Sequence, residues 1–169
     1  MDSEKAAKST TTKGEAVTEQ SPDGAPEAID PQTGMHRSYY VLSAEERAKG
    51  FVRPVRRSYV HVGRPGPKRP LRDLTPEERE QHAAYGYVKF EAYPESELPL
   101  TGRFWTQRDL DVGAGGCGAS TTMALSIAET YAREPSFYGS TFCSACMEHR
   151  PVGAQGEFVW PGTDERVGT

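Results

Sequence analysis

Thr141-Phe142-Cys143-Ser144-Ala145-Cys146-Met147-Glu148-His149-Arg150-Pro151 is the stretch on which the fold turns. Two cysteines separated by two residues across a tight turn present both sulfurs to the same side, which suits one metal ion. The third cysteine of the chain is Cys117. Zinc takes four nitrogen or sulfur ligands in a tetrahedron. Cys117, Cys143 and Cys146 supply three, and His149, three residues beyond Cys146, is read as the fourth, with His61 and His82 as the alternatives.

The rival reading of Cys-x-x-Cys is a redox pair, which normally opens a helix after a strand in a longer α/β pattern. That pattern is missing around Cys143, and a redox pair leaves Cys117 without a role. A third reading leaves the cysteines merely buried or exposed. The order Phe142-Cys143-x-x-Cys146, then a basic residue, Pro151 and the aromatic Phe158, resembles the knuckle half of treble-clef and ribbon zinc modules. A catalytic metal site keeps an open position and needs a general base nearby. No His-Glu-x-x-His or related motif occurs, so the site is expected to be structural and no catalytic residue is assigned.

Outward from this stretch, the fold class expected is α+β: a small domain over residues 35–169, preceded by a disordered acidic tail over 1–34. Residues 1–34 carry no aromatic residue, and their large aliphatics are Val17 and Ile29. Such a composition buries too little apolar surface to offset chain entropy. Its three lysines against seven carboxylates account for the whole net charge of −4, so the remainder is balanced. Residues 1–30 hold no apolar run of the kind a secretory leader needs, and no long apolar run occurs elsewhere. An odd cysteine count then argues for a reducing compartment, a cytoplasm.

Ser43-Ala44-Glu45-Glu46 and Thr75-Pro76-Glu77-Glu78 are capping boxes, with helices expected to Gly50 and Gly86. Residues 36–42, 51–62, 87–90 and 104–106 read as extended, and 157–167 as a terminal hairpin. A helix over Thr121–Arg133 carries Met123, Ile127 and Tyr131 on one face. The glycines of 113–118 lack the Gly-x-x-x-x-Gly-Lys-Ser/Thr pattern of a phosphate loop. They are read as freedom for Cys117 to approach the metal.

Nine cations run from Arg47 to Arg72 without an intervening carboxylate. Arg53, Arg56, Arg57, Arg64, Lys68 and Arg69, with Tyr59 and His61 among them, are read as a nucleic-acid-binding surface. Cations there release counterions from phosphates, and aromatic rings stack on bases. The bland alternative is a solvated face whose charges pair with Glu77, Glu78 and Glu80.

Gly116-Cys117-Gly118, Thr121-Thr122-Met123, Ala128-Glu129-Thr130-Tyr131-Ala132-Arg133, Phe137-Tyr138-Gly139, the Cys143/Cys146/His149 stretch and Gly162 to Gly168 together resemble small hypothetical proteins of tailed phages and prophages. Ser43 to Val62 fits the same company. The resemblance implies a phage origin and a bacterial cytoplasm. The function expected is a non-enzymatic zinc-binding protein that contacts nucleic acid or a host protein. The alternatives are a nucleic-acid-processing accessory with a degenerate treble clef, and a virion-associated structural component. A membrane partner and a small-molecule substrate are not expected.

Overall fold

The computed structural model describes residues 3–17, 29–92, 102–113 and 115–169. In chain order its elements are α1 (Ser3–Ala7), β1 (Ser9–Thr11), β2 (Tyr40–Leu42), α2 (Ala44–Arg47), β3 (Ser58–His61), β4 (Leu71–Asp73), α3 (Pro76–Gln81), β5 (Tyr87–Ala92), β6 (Gly102–Thr106), α4 (Gln107–Val112), β7 (Ser120–Thr122), α5 (Leu125–Arg133), β8 (Ser140–Cys143), β9 (Glu148–Pro151) and β10 (Phe158–Val159). The architecture is mixed α and β, with short helices and several small antiparallel sheets. No helix among the described residues is long and apolar enough to cross a membrane.

The chain packs as two compact units. Residues 1–61 and 117–169 form one, and 62–116 form the other. In the first unit β3 is the central strand, flanked antiparallel by β10 and β7. Alternation along a strand sends every second side chain to one face. Tyr59 and His61 therefore share the inner face of β3 and are buried. Tyr59, Met123, Ala128, Tyr131, Cys143, Phe158, Trp160 and Val167 make the core of this unit.

The helix expected over 121–133 begins only at Leu125. Ser120-Thr121-Thr122 is instead a strand, because its β-branched residues pair with β3 in the register Tyr59↔Thr121. Of the expected apolar face, Ala128 and Tyr131 are buried and Ile127 is packed against the core, whereas Leu125 is exposed. Met123 reaches the core from the residue after β7. The hairpin expected at 157–167 is present in short form, with Val159 bridged to Arg166 and Trp160 N donating to Glu165 O at 3.0 Å.

The second unit is a three-stranded antiparallel sheet, β4-β5-β6. The second capping box forms as read: Thr75 Oγ1 accepts from Glu78 N, and the Glu78 side chain accepts from Thr75 N. The buried Glu91 accepts from the backbone N–H groups of Lys68 and Arg69 at 2.8 and 3.0 Å and from Trp105 Nε1 at 2.7 Å. Those three bonds compensate a carboxylate that would otherwise be costly to bury.

Residues 3–17 do not form the tail expected of their composition. β1 pairs antiparallel with β2 in the register Ser9↔Leu42, Thr10↔Val41, Thr11↔Tyr40. Ala6, Ser9, Thr11 and Val17 are buried, and Lys5 Nζ donates to Phe137 O at 2.7 Å. Small and hydroxylated residues suffice because the surface they cover is supplied by the rest of the unit. The remainder of the expected tail includes residues 18–28, which lie outside the described residues. Deleting residues 1–17 is expected to lower unfolding stability by roughly 2 kcal/mol or more, from the lost ladder and buried apolar area. The midpoint of thermal unfolding checks it; an unchanged midpoint refutes the docking of β1.

Candidate metal centre

Three separate segments deliver the donors. The β8–β9 hairpin carries Cys143 at the end of β8 and Cys146 in the turn. Met147 N donates to Cys143 O at 2.8 Å, and Cys146 N approaches Cys143 Sγ at 3.5 Å. A backbone N–H turned toward a sulfur both folds the knuckle and stabilises thiolate charge. Met147 closes the turn at φ +54°, in the left-handed region that side chains rarely enter. Gly34 packs on the back of this turn, where a Cβ would stand 2.3 Å from Met147 O. Only glycine fits there without a shift.

The second segment is the approach to β7. Gly118 takes φ +74° and donates its N–H to His61 O at 2.8 Å, which places Cys117 beside β3. The third segment is β3 itself, whose last residue, His61, faces inward. His61, Cys117, Cys143 and Cys146 place one ligand atom each within 4.8 Å of all the others. His61 Nδ1 is 3.2 Å from Cys117 Sγ and 3.5 Å from Cys146 Sγ, and Cys117 Sγ is 3.5 Å from Cys143 Sγ. Ligands about 2.0–2.3 Å from a common tetrahedral centre stand roughly 3.3–3.8 Å apart. The cluster is compatible with a metal such as zinc.

The tautomer of His61 is set by its neighbours. Nε2 lies 2.9 Å from Glu157 Oε1, and Cys117 N points at Nδ1 at 3.4 Å. Donation by Nε2–H to the carboxylate leaves the Nδ1 lone pair facing the three sulfurs. A carboxylate behind a ligating imidazole is the usual device for orienting it and raising its basicity. Both residues are buried, and Glu157 sits beside β10 through its N–H bond to Pro151 O at 2.9 Å.

The thiols are tuned apart. Cys117 is lowered to about 7, chiefly by the backbone N–H of Ala119, then by bonds from His61, Cys143 and Cys146. Cys146 is raised to about 11, chiefly by its bond with Cys143, then by burial and by Cys117. A cation at the centre reverses the second effect, since it binds only thiolates.

His149, read from spacing as the fourth ligand, is elsewhere. It pairs with Phe142 across the β8–β9 ladder, and paired residues share a face. Cys143 is the next residue on β8, so its side chain leaves the opposite face. His149 Nε2 lies 3.1 Å from Tyr39 Oη, and its ring packs on His36 at 4.5 Å between centroids. Burial first, then His36, lowers its pKa. His82 belongs to the aromatic set of the second unit. His61 was legible only as one of three alternatives, because its partners lie 56 to 96 residues away. The missed residue is Glu157, whose only sequence signal is a carboxylate at the start of a strand.

The expected nucleic-acid residues separate into groups. Tyr59 and His61 are buried and offer no ring face to a base. Arg56 makes two bonds to Glu165, at 2.8 and 3.0 Å, and lies over the Trp160 ring. Arg53 Nε reaches Thr169 O at 3.2 Å, and Arg57 Nε donates to Met123 O at 3.2 Å. Arg47 pairs with Glu129, Lys49 with Glu46, and Arg72 with Glu78. Arg64, Lys68 and Arg69 are exposed on the second unit. No protein-family model matches the chain, and comparison with curated proteins and with solved structures returns no match.

His61→Ala is expected to abolish retention of the metal, while His149→Ala retains it. Glu157→Gln is expected to weaken metal affinity by about 10- to 100-fold while the fold persists in the loaded form. Competitive titration with a chromogenic chelator measures all three. Because Cys146 is protonated near neutrality without metal, binding at pH 7.5 is expected to release more than one proton. Affinity therefore falls on acidification, most steeply below about pH 7 as Cys117 also regains its proton. Calorimetry in buffers of different ionisation enthalpy reads the proton count.

Proposed function

We propose that the chain is a non-enzymatic zinc-binding protein whose ion is structural, held by His61, Cys117, Cys143 and Cys146, and that it works by surface contact. The observation that carries this is the closed donor set. Four protein ligands complete the tetrahedron and leave no position for a substrate or an activated water. The ion ties β3, the Cys117 segment and the knuckle hairpin together, so binding and folding are linked. Such a link suits a chain of only 36% apolar residues. A phage origin and a bacterial cytoplasm are part of this reading; the origin rests on the sequence resemblance alone, and the cytoplasm also on the odd cysteine count.

The partner favoured is single-stranded nucleic acid, on the second unit. His82, Tyr85, Tyr87 and Phe104 form an aromatic row there. Tyr85 stacks on Tyr87 at 5.8 Å and Tyr87 on Phe104 at 5.2 Å, and Tyr85 is 67% exposed. An exposed ring such as Tyr85, backed by half-buried neighbours, stacks bases without sequence preference, and Arg64, Lys68 and Arg69 supply charge for phosphates on the same unit. A second reading, a host-protein partner, is favoured by Phe51, Val52 and Val55, which stand exposed within five residues of the first unit.

Zinc content of purified protein is expected to be about one equivalent, and a strong chelator should lower the unfolding midpoint of the full chain. A metal-free sample with the same midpoint refutes the structural ion. Fluorescence anisotropy with labelled oligothymidylate should show binding that weakens steeply with salt. Tyr85→Ala should weaken it about fivefold or more. Absence of binding at about 50 mM salt moves the contact to the Phe51–Val55 segment.

A further inference from the structure

The first unit contains a cavity of about 270 Å³ that neither the metal nor the proposed contact surfaces use. Its body is formed by Tyr59, Tyr131 and Phe142, with Met123 and Ile127 completing an apolar wall. The segment 35–39 closes one side. That segment is held by His149, through the Tyr39 hydroxyl at 3.1 Å and the His36 ring. The histidine that the knuckle spacing singled out thus has a place beside the cavity.

The polar groups of the wall are mostly satisfied. Tyr59 Oη donates to Phe142 O and accepts from Thr141 Oγ1. Tyr131 is 3% exposed, and its hydroxyl lies near the Thr141 side chain without a well-formed hydrogen bond. A buried hydroxyl whose hydrogen bond is poorly formed is disfavoured and is retained in native structures for a reason. The described lining residues include no carboxylate, and the cation among them, Arg37, is exposed. An apolar cavity of about 150 Å³ accepts benzene, so this one holds a ring with a substituent.

We infer that this cavity is a binding site for a small neutral one-ring compound carrying a carbonyl oxygen, with the ring between Tyr59, Phe142, Met123 and Ile127 and the oxygen accepting from Tyr131 Oη. Ring binding is driven by apolar burial, and the single hydrogen bond selects a carbonyl over a hydrocarbon of the same shape. The site is independent of the ion, since no metal donor lines it.

The test uses the full zinc-loaded chain with ¹³C-labelled methionine and isoleucine methyls, titrated with acetophenone and with ethylbenzene. Both probes are expected to shift the Met123 and Ile127 methyl signals, acetophenone binding about five- to tenfold more tightly. Tyr131→Phe, which removes only the hydroxyl, is expected to erase that preference and leave ethylbenzene binding unchanged. Ile127→Trp, which fills the space, is expected to abolish binding of both, and the Met123 methyl signal reports that this variant is folded. No methyl shift with either probe overturns the site and leaves a cavity that holds water. Equal affinity of the two probes, or a preference that survives Tyr131→Phe, overturns the hydrogen bond and with it the assigned ligand class. Binding that survives Ile127→Trp overturns the location.

Discussion

The hydrogen bond from His61 to Glu157 is the constraint on which the centre depends. A buried imidazole and a buried carboxylate are each costly alone, and together they fix which nitrogen of His61 carries the proton. That choice aims a lone pair at three sulfurs drawn from two other segments. Because His61 ends β3 and Glu157 precedes β10, the bond also closes the β10-β3 ladder, whose register sets Phe158 against His61. Sheet and donor set are therefore one construction. An ion held by that donor set would add a connection to the β8–β9 hairpin, and Phe158 packs on both Tyr59 and His61 from within the core.

The same economy governs charge. A run of nine cations in the sequence looks like one surface, yet folding divides it. Arg56 meets Glu165 and Trp160, Arg47 meets Glu129 and Arg72 meets Glu78. These pairs are partly exposed, so each contributes little stability, but each occupies a cation that would otherwise meet phosphate. Arg64, Lys68 and Arg69 are exposed on the second unit, which also holds the aromatic side chains of His82, Tyr85, Tyr87 and Phe104. Strand alternation turns Tyr59, which the sequence offers as a stacking ring, inward, whereas Tyr85, in the turn before β5, is exposed.

The amino-terminal residues carry a related lesson. Composition says that 3–17 cannot form a core of their own, which is correct. It does not say whether a neighbour leaves an open strand edge for them. β2 does, and three residues of ladder with Ala6 and Val17 beneath them hold the segment. Low apolar content excludes independent folding, not docking.

The sequence by itself determined the local devices: the Thr75 capping box, the Ser43 N-cap, the β5 and β6 strands, and the grouping of Cys117, Cys143 and Cys146. Each depends on spacings of a few residues, and local sterics and hydrogen bonding settle them. Only the tertiary structure decided the fourth donor. His149 and His61 are equally acceptable by chemistry, and the nearer one in sequence fails because the β8–β9 pairing puts it on the face shared with Phe142, away from Cys143. Glu157, the cavity around Tyr131 and the division of the cations were likewise invisible. Each is made by residues that meet only when strands far apart in the chain take their register, and no period or motif in the sequence encodes such a meeting.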